Sequence, residues 1–91
     1  MNLEITLKHL DHTESIDSKI KTKVERLSKR HFSENAHLSW TSGVEHSEHY
    51  ATLLARDKGK EYFVKASSDS LYKTIDLVIH KMESQIEHHN H

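Results

Sequence analysis

Residues 49–67, "HYATLLARDKGKEYFVKAS", predict a β-hairpin. The two outer stretches, residues 49–56 and 61–67, are rich in the aromatic and branched side chains that strands favour. Between them, residues 57–60 supply the glycine that a tight hairpin turn needs. These two stretches are the third and fourth strands of the predicted fold.

Two earlier segments show the alternation of a half-buried strand. The first is residues 2–8, and the second is residues 36–44, "AHLSWTSGV". The apolar side chains that share one face are Leu3, Ile5 and Leu7 in the first strand and Ala36, Leu38 and Trp40 in the second. The connection at residues 44–49, "VEHSEH", is expected to be looser than the hairpin turn.

The aromatic residues of the strands are assigned to the core. Trp40 is expected to face the helices together with Leu38, and the other aromatic rings assigned to the core are those of Tyr50, Tyr62 and Phe63. Because neighbours in a strand point to opposite faces, one of Tyr62 and Phe63 must face away. Stacking of nucleic-acid bases on an exposed face of the sheet is the alternative.

In the two remaining segments, apolar residues recur with the period of an α-helix. The first helix is predicted from Thr13, a suitable N-cap, to about residue 30, and the second from about residue 70 to residue 88. Either Asp69 or Ser70 caps the second helix. The apolar positions on one side are Ile16, Ile20, Val24 and Leu27 in the first helix and Leu71, Ile75, Val78, Ile79, Met82 and Ile86 in the second.

The element order is therefore β-α-β-β-β-α, an α+β fold in which two helices pack on one face of a four-stranded sheet. Ninety-one residues suffice for one small core, so residues 1–91 are predicted to form a single domain, with residues 89–91 as a flexible tail. The sequence has no cysteine, no signal-peptide pattern and no apolar run that spans a membrane. These features predict a soluble, intracellular protein. We expect it to be cytoplasmic and to be a monomer when free.

The formal net charge is only −1, but the basic residues are unevenly placed. Six of the thirteen Lys and Arg residues fall within residues 19–30. At about 100° per residue, four of them form one stripe roughly 17 Å long. This basic stripe consists of Lys19, Lys23, Arg26 and Arg30, and the acids Glu14, Asp17 and Glu25 lie on the opposite flank. The basic stripe suits the phosphates of a nucleic acid, and a merely solvated helix face is the alternative.

The second helix shows the same separation of charge more weakly. One flank carries Lys81, Gln85 and His88, at the same angular position as the basic stripe, and the other carries Asp76, Glu83 and Glu87. If the two helices run parallel on the sheet, their polar flanks are expected to merge into one surface.

Motifs in several segments of the chain carry a family resemblance. Residues 1–6 contain "M-x-L-x-I-T", Thr13 opens a helix that includes the run "KVERLSK", and the later strands contain "A-T-L" at residues 51–53 and "G-x-E…A-S" at residues 59–67. Residues 71–86, "LYKTIDLVIHKMESQI", are similar to "MYAAID-x-L-I-x-K-L-x-x-Q-L", with matches at Tyr72, Ile75, Asp76, Ile79, Lys81 and Gln85. The chain thus resembles the bacterial ribosome hibernation factors, namely the short hibernation-promoting factor and protein Y.

The resemblance implies a fold similar to double-stranded-RNA-binding domains. It also implies that the protein binds the rRNA of the small ribosomal subunit in the mRNA and tRNA channel, blocks translation and stabilises inactive, paired ribosomes under stress or in stationary phase. Ribosome modulation factor is implied as a further partner, and inactivation of single ribosomes, as by protein Y, is the alternative. Because the chain ends soon after the second helix, the short type is favoured.

By position, the implied rRNA contacts fall on both helices. The implied contacts are Lys23, Arg26, Lys29 and Arg30 in the first helix and Lys81, Gln85 and His88 in the second. Lys19 is added to these candidates as a member of the basic stripe. The sequence departs from the family pattern where Ser84 and His88 replace basic residues and "HHNH" replaces a Lys-rich tail.

Ten histidines leave three interpretations open. In the first, they are solvated surface residues. In the second, they form a surface that becomes cationic as the pH falls toward 6, an interpretation suggested by the cluster of His80, His88, His89 and His91 near the second helix. The third is a metal site, at His46 with His49 or among the last histidines, in a His-rich metal-binding protein. The spacing fits no closed zinc pattern, and no motif of a nucleophile or phosphate loop is present, so we predict no metal, cofactor or catalytic residue.

Overall fold

The computed structural model describes residues 1–10 and 13–89. It contains strands β1 (Asn2–Lys8), β2 (His37–Glu45), β3 (Glu48–Asp57) and β4 (Lys60–Ser68), and helices α1 (Glu14–His31) and α2 (Leu71–His89). The predicted β-α-β-β-β-α order is confirmed, with most element ends shifted by a single residue. Of the predicted tail, residue 89 belongs to α2, and residues 90–91 lie outside the described part of the chain.

The four strands form one mixed sheet in the order β1-β2-β3-β4. β1 pairs parallel to β2 because α1 crosses over between them, whereas β2–β3 and β3–β4 are antiparallel hairpins. Both helices cover the same face of the sheet. The largest fully buried side chains of the resulting core are those of Trp40, Ile20, Leu27, Leu38, Leu53, Ile75, Met82 and Ile86. The other face of the sheet is uncovered and is called the open face below.

Two hairpin turns connect the antiparallel strands. In the β3–β4 turn, Lys58 and Gly59 have φ angles of 52° and 78°, as the predicted tight turn requires. The expectation of a looser β2–β3 connection is wrong, because Glu45 pairs directly with Glu48. The two residues between them, His46 and Ser47, both adopt positive φ, 53° and 66°. Without glycine, this turn carries little sequence signal.

Side-chain caps fix where both helices begin. The hydroxyl of Thr13 accepts a hydrogen bond from the backbone N–H of Ile16 at 3.1 Å, which confirms the predicted N-cap. At α2, the hydroxyl of Ser70 accepts from the N–H of Lys73 at 3.4 Å. Ser70, rather than Asp69, therefore makes the side-chain cap of α2.

The aromatic residues divide between the two faces of the sheet. Trp40 is fully buried, as predicted, and its indole N–H donates to the hydroxyl of Ser42 at 2.6 Å. Tyr62 is buried and Phe63 is 54% exposed, which confirms that one of the two faces away.

The assignment of Tyr50 to the core is wrong. Ala51 and Leu53 point inward, so the alternation places Tyr50 on the open face, opposite Gly43 in the register. A Cβ atom added to Gly43 would come within 2.6 Å of the Tyr50 hydroxyl, so the ring lies directly over this glycine. The ammonium of Lys65 lies 5.4 Å from the centroid of the same ring.

Candidate nucleic-acid interface

The basic stripe of α1 lies along the seam between the two helices. Its cations contact α2 in three places, which join Lys19 to Tyr72, Lys23 to Asp76 and Arg30 to Glu83. In each pair the α2 residue comes 53 positions after its α1 partner. A constant offset means that α1 and α2 run parallel and rise together, as a regular pair of helices does.

The distances of these contacts are moderate. The ammonium of Lys23 lies 3.3 Å from Asp76 Oδ1, and Arg30 Nη1 lies 3.5 Å from Glu83 Oε2. Lys19 Nζ lies 5.9 Å from the centroid of the Tyr72 ring. The side chain of Arg30 is 74% exposed and that of Lys23 is 30% exposed. Both pairs therefore remain accessible from outside, where solvent screens their attraction.

The polar flanks of the two helices do not merge as expected. In two parallel helices on one sheet, flanks at the same angular position point the same way and cannot face each other. The flank of α2 that meets the basic stripe is consequently the opposite, acidic one, with Asp76 and Glu83. Part of the charge separation in the sequence thus serves pairing between the helices.

The basic flank of α2 lies over the outer edge of β4 instead. The ammonium of Lys81 donates to the carbonyl of Lys65 at 2.9 Å, and Gln85 Oε1 accepts from the N–H of Phe63 at 3.1 Å. His88 is exposed near the end of α2. The structure therefore separates Lys81, Gln85 and His88 from the basic stripe.

Arg26 differs from the other members of the basic stripe. The offset of 53 places it level with Ile79, and both residues line a groove of about 350 Å³ between the helices. Lys29 lines the same groove. Within residues 1–10 and 13–89, no carboxylate approaches the charged groups of Arg26 or Lys29 within the distance of an ion pair. These two exposed cations are available to phosphate without any exchange of partners.

Glu83 is shared by two basic side chains of α1. Besides Arg30, it lies 3.6 Å from His31 Nε2, whose side chain is only 19% exposed. Sequence reasoning missed this contact and the position of Tyr72 under Lys19, because both lie across the seam. The available signal was the angular position of Tyr72, Asp76 and Glu83 on one flank of α2.

The histidine-based metal site receives no support from the described residues, since no three or more His, Asp or Glu side chains converge there. His91 and the side chain of His89 lie outside that part of the structure. Neither described helix combines the length and the apolar character needed to cross a membrane.

Comparison with solved structures shows the same fold in two ribosome-related proteins. A ribosomal subunit interface protein from Coxiella burnetii superposes with a TM-score of 0.86 at 21% identity, covering 99% of this chain and 98% of that one. The N-terminal domain of Protein Y from Thermus thermophilus superposes with a TM-score of 0.84 at 20% identity, covering 97% of this chain and 98% of that one. At these identities the likeness defines the fold class: the mixed-sheet, two-helix fold of ribosomal subunit interface proteins.

The sequence places the chain within that class. It belongs to the family described as Sigma 54 modulation protein / S30EA ribosomal protein, which it matches over residues 3–91. Comparison with curated proteins found no match. The family consists of ribosome-associated hibernation and interface factors that are not enzymes, and association with ribosomes implies the cytoplasm. The family that the sequence motifs predicted is therefore confirmed.

Proposed function

We propose that this protein is a hibernation factor that binds the rRNA of the small ribosomal subunit in the mRNA and tRNA channel. There it blocks translation by occupying space, and it stabilises inactive, paired ribosomes, with ribosome modulation factor as a further partner. Family membership over residues 3–91 is the observation that carries the proposal. The exposed cations on α1 support it, because RNA binding depends on the neutralisation of phosphates.

Arg26 and Lys29 are proposed as the principal rRNA contacts. Both are exposed and unpaired within the described residues, and a guanidinium binds a phosphate through two parallel hydrogen bonds. Lys19, Lys23 and Arg30 extend the same surface. Lys81, Gln85 and His88 form a separate, weaker contact at the β4 edge, since two of them already bond the backbone of β4.

The test is co-sedimentation with purified bacterial small ribosomal subunits at low salt. The variant Arg26→Glu/Lys29→Glu is expected to lose binding, because it reverses two exposed charges without breaking an ion pair of the fold. If four to six phosphates are contacted, the affinity of the unmodified protein should also fall roughly a hundredfold between 50 and 200 mM salt.

The matched control is Lys8→Glu/Lys21→Glu, which changes the net charge equally. Both residues are exposed, one at the end of β1 and the other on α1 away from the seam. This variant is expected to bind almost as well as the unmodified protein. Equal binding by the Arg26/Lys29 variant, or equal loss by the control, would show that the interface lies elsewhere.

The second candidate is inactivation of single ribosomes without pairing. Sucrose gradients of ribosomes with and without the protein separate the two outcomes. Growth of a paired-ribosome peak supports the hibernation-promoting type. An increase of single ribosomes at the expense of pairs supports the protein Y-like type.

A further inference from the structure

The seam between α1 and α2 places carboxylates directly against cations proposed to bind RNA. Two of the four residues of the basic stripe form ion pairs across the seam, Lys23 with Asp76 and Arg30 with Glu83. Acidic groups beside a phosphate-binding surface repel the RNA and compete with it for the same cations. The pairing therefore has a cost for RNA binding as well as a role in the packing of the helices.

We propose that Asp76 and Glu83 are displaceable counter-anions, which hold Lys23 and Arg30 until phosphates of the RNA backbone replace them. Within the basic stripe, Arg26 makes the first contact with a phosphate, because no side chain of α2 has to leave it first. The inference rests on the proposed function and identifies the residues that set the affinity of its interface.

The geometry of the two ion pairs permits the exchange. Their N–O distances, 3.3 and 3.5 Å, are longer than those of strong charge-assisted hydrogen bonds. Asp76 is 63% exposed and Arg30 is 74% exposed, so water already competes with these contacts. A phosphate offers more acceptor oxygens than a single carboxylate oxygen and matches the planar fork of the Arg30 guanidinium.

The position of Arg26 explains why it comes first. It lies between the two paired cations along the basic stripe, level with Ile79 rather than with a carboxylate. Its guanidinium is therefore available in the free protein, while Lys23 and Arg30 are held nearby at fixed spacing. Once a phosphate is bound at Arg26, the neighbouring phosphates of the same strand are brought close to both pairs.

The experiment measures the affinity of Asp76→Asn, Glu83→Gln and the double variant for purified bacterial small ribosomal subunits. Each single change keeps the shape of the side chain and removes its charge. Each is expected to tighten binding about two- to fivefold, the range that corresponds to an exposed ion pair. The slope of log affinity against log salt should steepen by about 0.7 for each cation that is freed.

Glu87→Gln is the matched control. Glu87 lies on the same flank of α2 and is exposed, but it makes no ion pair within the described residues. Its neutralisation changes the net charge equally and is expected to leave the affinity almost unchanged. Thermal unfolding of all variants verifies that they are folded, and Asp76→Asn carries the test if Glu83→Gln is unstable, since Asp76 is the more exposed residue.

The outcomes separate the two proposals. Unchanged or weaker binding by the double variant, or an equal gain in Glu87→Gln, overturns the role of Asp76 and Glu83 while binding by the unmodified protein still supports the proposed function. Absence of binding by the unmodified protein at low salt would instead overturn the proposed function.

Discussion

Gln85 closes the outer edge of β4: its Oε1 accepts a hydrogen bond from the backbone N–H of Phe63 at 3.1 Å. One turn earlier in α2, the ammonium of Lys81 donates to the carbonyl of Lys65 at 2.9 Å. β4 is an edge strand, and free N–H and C=O groups at an edge invite pairing with another chain. Two side chains that we propose as rRNA contacts thus also cover the edge of the sheet.

The double variant Lys81→Ala/Gln85→Ala tests this edge protection. It should lose about 0.5–1.5 kcal/mol for each hydrogen bond in the free energy of unfolding, measured with urea. It should also self-associate at high concentration in analytical ultracentrifugation, because the edge of β4 is uncovered. Ser84→Ala, an exposed change on the same helix, is the control and should have neither effect. A monomeric double variant with the stability of this control would contradict the role in the edge.

Gly43 and Tyr50 are predicted to be energetically coupled. In Gly43→Ala the new methyl group would meet the Tyr50 ring at 2.6–2.7 Å, so the ring has to move off the sheet. Overcrowding of this kind costs about 1–3 kcal/mol in the free energy of unfolding. In a Tyr50→Ala background the same substitution should cost much less. A double-mutant cycle measures the difference, and additive effects would show that the two residues do not interact.

Asp57 is predicted to stabilise the fold at neutral pH. The hydroxyl of Ser33 donates to Oδ1 at 2.6 Å and its backbone N–H donates to Oδ2 at 2.9 Å. The Ser33 hydroxyl, then its N–H, and more weakly the charge of Lys58 lower the pKa of Asp57 below 3.8, while burial opposes the shift. A lowered pKa in the folded state means that the contribution is present above pH 3.8 and is lost as the pH falls through the folded-state pKa.

The thermal midpoints of the unmodified protein and of Asp57→Asn test this expectation. The gap between them should be widest near neutral pH and should close in strongly acidic solution, as the carboxylate of Asp57 becomes protonated. Ser33→Ala should reproduce part of the gap, since it removes one of the two donors. A gap that does not change with pH would mean that the charge of Asp57 contributes nothing.

Affinity for the ribosome is predicted to rise between pH 7.5 and 6. Histidine is the side chain whose charge responds to pH in this range, and each histidine that gains a proton adds positive charge that attracts phosphate. His80 and His88 are exposed on α2. The rise should be smaller in His80→Gln/His88→Gln than in His9→Gln/His46→Gln, which changes two exposed histidines at other positions. An affinity for small subunits that is constant over this range would contradict the prediction.

Most of the fold was predictable because each element carries a periodic pattern. The alternation in β1 and β2, the glycine of the β3–β4 turn and the apolar side of each helix depend only on local geometry. The β2–β3 turn was missed because His46 and Ser47 adopt positive φ without a glycine. The core assignment of Tyr50 is wrong because Tyr50 alternates with the inward-facing Ala51 and therefore lies on the open face, although the composition of β3 favours burial of an aromatic ring.

The sequence by itself determined the elements, their order, the N-cap of α1 and which residues share a flank of each helix. It also determined the family, through motifs spread along the whole chain. Only the tertiary structure decided which flanks meet. Because α1 and α2 run parallel, the basic flank of one faces the acidic flank of the other, so Lys23 and Arg30 are paired and Arg26 is left available. Helical periodicity specifies the angle of a side chain about its own axis, but the direction and offset of a neighbouring helix depend on how both pack on the sheet.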